Sequence, residues 1–199
     1  FGALIIVDER GEIVWFYRAD HRINEFIRLR NGNIFYGSGQ SGRLREIDML
    51  GNVVQQWQAT RLLDEIPEGV TPVDTDSFHH EELELPNGNF LALSSEARLV
   101  EDFRTSETDP DAPRAPSTVI GDVVVEFSRD GTIQGRWHLL DLIDVNRIGY
   151  ESLDGGFWER PYGDIAEAPI RDWAHANGIE YDPRDDSIII SSPVQDVLI

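Results

Sequence analysis

Cysteine is absent from the 199-residue chain, which excludes disulfides, thiolate metal sites and cysteine nucleophiles. Lysine is absent too: all 17 basic residues are arginine, set against 37 Asp and Glu for a formal charge of −20. No stretch approaches the roughly 20 apolar residues that a membrane-spanning helix requires. With a pI near 4.4 there is no clustered Lys and Arg for phosphate contacts, which argues against nucleic acid and against an anionic membrane surface as partners. What remains is 40 % apolar, with five Trp, nine Phe and five Tyr, enough to build a packed core. Excess acid with arginine kept and lysine removed resembles the composition of proteins from high-salt cytoplasm or brine-exposed surfaces, where salt screens the self-repulsion that such a charge creates. A high-GC genome would also deplete lysine. The expectation is an acidic, halophilic protein.

Helical periodicity is scarce, and short alternating runs of β-branched and aromatic residues dominate. Two turn signals recur. One is strand, Asn-Gly-type turn, strand: Phe26–Tyr36 around Asn31-Gly32-Asn33, then Leu83–Leu93 around Asn87-Gly88-Asn89, then a looser copy over Ile179–Ile190. The Asn-Gly pair is read as a hairpin because both residues tolerate positive φ. The other signal is a turn ending in glycine, followed by a strand that carries tryptophan: Gly11 with Trp15, Gly51 with Trp57, Gly131 with Trp137. The signals alternate, as four-stranded antiparallel units marked by glycine and aromatics do in a β-propeller.

The fold class expected is therefore all-β, a single partial β-propeller domain over 1–199. It divides into a half blade at 1–18, a blade at 22–58, a blade at 78–138 and a started blade at 172–199. Three loop insertions interrupt it at 59–77, 101–118 and 139–171. The second, with three prolines and five carboxylates, reads as a solvated surface loop. The third opens on Leu139–Asp144, a short helix candidate, and runs through Gly155-Gly156-Phe157-Trp158. About three blades are present, whereas propellers close with four to eight. The remaining blades are expected from more chain or from another copy. The sequence has no initiator Met and begins and ends on strand-like runs, so both ends are read as cut, with any signal peptide or anchor outside them.

Two polar segments stand just ahead of a blade's first hairpin: Asp76-Ser77-Phe78-His79-His80-Glu81-Glu82 and Asp172-Trp173-Ala174-His175-Ala176-Asn177. The first strand of each blade lines a propeller's central channel, so such side chains converge. Period-two alternation puts His175 and Asn177 on one face, and superposing the blades matches His79 with His175 and Glu81 with Asn177. Imidazoles and an amide brought together this way suit oxyanion binding or nucleophilic and acid–base work. The plainer reading is that these histidines cap strands.

These segments resemble the arylsulfotransferase (aryl-sulfate sulfotransferase) family, which has a six-bladed propeller. The resemblance covers about 22–199. It is carried by Phe78-His79-His80-Glu81 running into Leu85-Pro86-Asn87-Gly88-Asn89, and by Asp172–Asp182 followed by Ile188-Ile189-Ile190-Ser191-Ser192. It implies transfer of a sulfuryl group from a phenolic sulfate to a phenol, by ping-pong through a sulfated histidine, with no cofactor and no nucleotide donor. By the same resemblance, His175 and Asn177 are sulfate ligands, and so is one of His79 and His80, with strand phase favouring His79. Where the family has Arg after Ser-Ser, this chain has Pro193. That lost anion contact is worth ~1.5–3 kcal/mol, with Arg98 as the candidate stand-in. The histidine that becomes sulfated belongs to a later blade; His21 and His138 lie in no matching motif.

Three other readings compete. A non-catalytic propeller, serving as a cell-surface binding or assembly module, is favoured by Pro193. A metal site could draw on His79, His80, Glu82 and His175, but zinc spacing is missing. A quinone-dependent dehydrogenase propeller would use the repeated tryptophans, which are expected instead to pack between blades. The expected location is extracytoplasmic.

Overall fold

The computed structural model describes residues 2–38, 42–63 and 65–199. It is an all-β architecture of four consecutive sheets, as in a partial β-propeller. Strands β1 (Gly2–Val7) and β2 (Ile13–Ala19) form an antiparallel pair. The second sheet runs in chain order through β3 (Phe26–Arg28), β4 (Ile34–Ser38), β5 (Arg43–Ile47) and β6 (Val53–Ala59). To it is added β7 (Thr71–Val73), parallel to β6. The third contains β8 (His79–Glu84), β9 (Phe90–Phe103), β10 (Ala115–Phe127) and β11 (Ile133–His138). Here β12 (Ile170–Asp172) joins β10 in parallel. The last contains β13 (Gly178–Asp182), β14 (Ser187–Ser192) and β15 (Val197–Leu198).

Alternation along the central strands explains how the sheets stack. In β4, Ile34 and Tyr36 pack with Leu4, Trp15 and Tyr17 of the first sheet, while Phe35 points the other way. In β9, Phe90 and Ala92 meet Phe35 and Trp57, while Leu91 and Leu93 join Trp173, Ile179 and Ile190. Strands buried on both faces read as unbroken apolar runs, as Phe90–Leu93 does. Phe35, Trp57, Phe90 and Phe127 form the aromatic centre between the second and third sheets, with Phe35 and Phe90 stacked at 4.5 Å. Trp15, Trp57 and Trp173 pack between sheets as expected. Trp137 is 37 % exposed on the outer strand β11.

The Asn-Gly hairpins are present, for a different reason from the one expected. Only Gly32 and Gly88 take positive φ (89° and 86°); the asparagines do not. The loops are three residues long, closed by Leu29 N–H to Asn33 O and Leu85 N–H to Asn89 O. Each asparagine instead uses its side chain: Asn31 Oδ1 accepts from Asn33 N–H, and Asn87 Oδ1 from Asn89 N–H. Their carboxamides then converge on one carboxylate of the third strand. Asn31 and Asn33 donate to Glu46, and Asn87 and Asn89 to Glu126. Glu46 is fully buried and also receives Arg129, whose guanidinium lies 5.6 Å from the rings of both Trp57 and Phe90.

The insertions are more structured than expected. Residues 101–103 and 115–118 extend the β9–β10 hairpin, so only 104–114 lies outside the ladder. The reason is visible in Phe103, Val119 and Ile120, which are buried. Between β11 and β12 come α1 (Leu139–Leu142), a 3₁₀ turn (Gly156–Trp158) and α2 (Glu159–Tyr162). Trp158 and Tyr162 from this segment pack on Ile120 and Ile170.

Candidate active site

The two histidine segments come together where β8 begins and where the chain enters β13. A register shift between His79 and Glu82 displaces β8 by a bulge, so strict alternation fails at the point where it was used to choose His79. His80 and His175 both take positive φ (53° and 48°), and their ring centroids are 5.3 Å apart. Non-glycine residues in this region carry a conformational cost that functional sites commonly retain.

His79 has a different setting. It is buried, and its Nε2 lies 3.0 Å from the Ser94 carbonyl and 3.1 Å from Asp122 Oδ1. Asp122 Oδ2 accepts the Ala176 N–H at 2.8 Å, so one buried carboxylate ties both histidine segments to β10. Glu81 adds a second tie by accepting the Ile179 N–H at 2.8 Å.

Protonation separates the two facing rings. Asp172 Oδ2 lies 2.5 Å from His175 Nδ1, and this hydrogen bond raises the His175 pKa against the opposing effect of burial. Burial, with the neighbouring charges of His79 and His175, pushes His80 down to about 4. At neutral pH, His80 is a neutral imidazole, and among the described residues it has no hydrogen-bond partner. The pair thus offers one cation-favouring ring, fixed by a carboxylate, and one neutral ring.

A cavity of about 300 Å³ opens on these rings. It is lined by Arg22, Asn24, His79, His80, Phe157, Trp158 and His175. Among the described residues Arg22 has no carboxylate partner, which is notable in so acidic a chain. Polar capacity in this cavity is left unfilled: the buried Trp158 Nε1 and Asn24 Oδ1 lack partners. An adjoining cavity of about 410 Å³ holds Asn177 and Pro193 together with His175, Asp172 and Phe157. Arg98 is elsewhere. Its guanidinium is held by Glu96 at 2.8 Å and Asp141 at 2.5 Å, and it lines neither cavity. No group of three or more His, Asp or Glu is spaced to hold a metal ion among the described residues.

Arg22, Asn24, Phe157 and Trp158 were not singled out by sequence reasoning. Arg22 had a signal: Asp20-His21-Arg22 stands just ahead of β3, as the two histidine segments stand ahead of β8 and β13. The aromatic pair had none, because an insertion carries no blade phase.

The sheet stack and the histidine segments define a propeller-type protein with a cavity lined by Arg22, His80 and His175. The family model described as Arylsulfotransferase (ASST) matches residues 1–199, and the chain belongs to that family. It is similar to arylsulfate sulfotransferase AssT of Escherichia coli O6:H1 (strain CFT073), at 28 % identity over 172 residues. That match covers 77 % of this chain and 25 % of the relative, so the chain spans about a quarter of the curated protein's length.

Proposed function

We propose that the chain forms part of an aryl-sulfate sulfotransferase that moves a sulfuryl group from a phenolic sulfate to a phenol. The observation that carries this reading is the 300 Å³ cavity, where Arg22, without a carboxylate partner among the described residues, carboxylate-fixed His175 and neutral His80 share walls with Phe157 and Trp158. A sulfuryl group in transfer spreads negative charge over its oxygens, and preorganised donors aimed at them lower the barrier. The Nε2–H of His175 and the guanidinium of Arg22 supply such donors, and the aromatic pair suits the aryl ring. Arg22 takes the part for which Pro193 and Arg98 are unsuited.

In the first half-reaction the S–O bond of the donor breaks as an S–N bond forms to one nitrogen of a neutral histidine of a further blade, and the leaving phenolate takes up the proton that the ring's other nitrogen gives up. In the second, the S–N bond breaks as the acceptor oxygen binds sulfur, and the acceptor's proton passes to the released imidazole or solvent. Further blades, from more chain or another copy, would also cover Ile5, Ile13 and Phe16, which are 56 %, 61 % and 70 % exposed on the first sheet. The −20 charge suits work in concentrated salt, where screening shortens the repulsion of anionic substrates; we place that work outside the cytoplasm.

The test uses the full-length protein in molar salt, with 4-nitrophenyl sulfate as donor, phenol as acceptor and His175→Ala as control. Acceptor-dependent nitrophenol release that the variant lacks supports the transferase. No release from folded protein supports the second reading, a non-catalytic binding or assembly propeller, which Pro193 favours.

A further inference from the structure

A second cavity, of about 340 Å³, shares His79, Phe157 and Trp158 with the histidine cavity. Its other walls come from the chain after β6, from the segment ahead of β8 and from α2, so it is framed by two neighbouring sheets and the insertion packed on them. Leu62, Leu63 and Phe78 make it apolar; Asp76, Asp164 and Arg160 supply its charge.

The two cavities differ in what they can accept. The histidine cavity has Arg22 and carboxylate-fixed His175, and no carboxylate among its lining residues. The second has two carboxylates against one guanidinium, which disfavours an anion. Asp76 is the informative group. Its Oδ2 accepts the phenolic O–H of Tyr162 at 3.1 Å, while among the described residues Oδ1 has only a 3.6 Å contact to Arg61 Nη1, too long for a hydrogen bond. Burial raises the Asp76 pKa against the opposing effects of Tyr162 and Arg61. Independently, Trp158 is 3 % exposed and its indole N–H has no partner, so an oxygen acceptor is missing from the wall that the two cavities share.

We propose that this second cavity binds a neutral phenol, its ring among Leu62, Leu63 and Phe78 and its hydroxyl between Asp76 Oδ1 as acceptor and the Trp158 indole N–H as donor. A phenol hydroxyl satisfies both at once, because it donates one hydrogen bond and accepts another. A sulfate ester has no proton to give Asp76 and brings a charge that the two carboxylates oppose. The cavities therefore sort the uncharged acceptor from the anionic donor. This deepens the sulfotransferase reading and rests on it for the word acceptor, although the phenol site itself does not.

The test separates the half-reactions in the full-length protein, comparing wild type with Leu62→Trp, which fills the cavity, and with Leu63→Trp as a second filler should the first fail to fold. The burst of nitrophenol from 4-nitrophenyl sulfate without acceptor reads the donor side, and the KM for 2-naphthol reads the acceptor side. The expected result is an acceptor KM raised at least tenfold, with the burst rate constant changed less than threefold. An unchanged acceptor KM, or equal losses on both sides, overturns the two-cavity assignment while leaving the transferase intact. If wild type gives no burst, the transferase reading fails, and equilibrium dialysis of 2-naphthol decides the site. Binding that the fillers weaken tenfold supports it, and binding that is absent or unaffected overturns it.

Discussion

His80 and His175 face one another with ring centroids 5.3 Å apart, each on a backbone of positive φ, and only His175 is fixed by a carboxylate. Two imidazoles of the same chemistry are thereby given different proton affinities, His175 above and His80 below the ordinary value. The asymmetry comes from Asp172 on one side and burial on the other.

Asp172→Asn tests the first half of that arrangement. Asparagine keeps the shape and removes the charge that raises the His175 pKa, so the imidazolium gives up its proton at lower pH than in wild type. The alkaline limb of kcat/KM for 4-nitrophenyl sulfate is expected to move toward acid. A limb that stays in place would show that His175 does not set the profile.

Arg22→Gln removes the guanidinium that lines the histidine cavity. A charge-assisted hydrogen bond contributes about 1.5–3 kcal/mol, a loss of roughly 10- to 150-fold in aryl sulfate affinity. Because Arg22 is exposed, the loss should lie near the lower figure in molar salt and grow as salt is lowered. Calorimetric titration at two salt concentrations reads both effects, and unaltered affinity removes Arg22 from the site.

Stability against pH isolates His80. Its unfolded imidazole takes up a proton near pH 6.5, whereas the folded one does so only near 4. The unfolded state binds more protons in that window, so this group costs stability as pH falls from 6.5 to 4 and no more below it. After discounting for partial exposure the cost is about 1–2 kcal/mol. His175 and the buried Glu82, both with raised values, act in the opposite sense. The comparison is therefore with His80→Asn, which tolerates the positive φ. Urea titrations at pH 6.5 and 4.5 should show the variant losing less stability than wild type.

Glu46→Gln probes the turn architecture. Burial works against the charge, yet the carboxamides of Asn33 and Asn31 and the Arg129 guanidinium hold this carboxylate below its ordinary range. A glutamine amide presents a donor to a cage of donors, and about 2–3 kcal/mol of stability should disappear at neutral pH. Its contribution is present above pH 4.5 and fades as pH falls through the lower folded value, so wild type and variant should converge in acid. Equal neutral-pH denaturation midpoints would contradict the cage.

Much of the fold was legible because it is local. Gly32, Gly51, Gly88 and Gly131 all take positive φ at the turns where the repeat placed them, and alternation in β4 and β9 gives both buried faces. The histidine segments were legible for the same reason, since they precede hairpins. Choosing between His79 and His80 was not, because a bulge breaks the two-residue phase on which the choice depended. Trp158 reaches the cavity through tertiary packing on Ile120 and Ile170, residues about 40 and 12 positions away, and no periodicity encodes such a contact. The Arg98 expectation rested on spacing alone, and spacing is silent about Glu96 and Asp141.

The parallel strand β7 has a consequence for how the molecule behaves in company. A sheet ending at β6 would present a row of free N–H and C=O groups to any extended chain, a template for aggregation. The first insertion returns to cover the end of that row, Trp57 to Ala59, and the covering strand Thr71-Pro72-Val73 has proline at its centre. Proline has no N–H to offer, so the new outer border cannot be extended regularly by a neighbour. In concentrated salt, where charge no longer keeps acidic molecules apart, that steric and hydrogen-bonding block is the safeguard that remains.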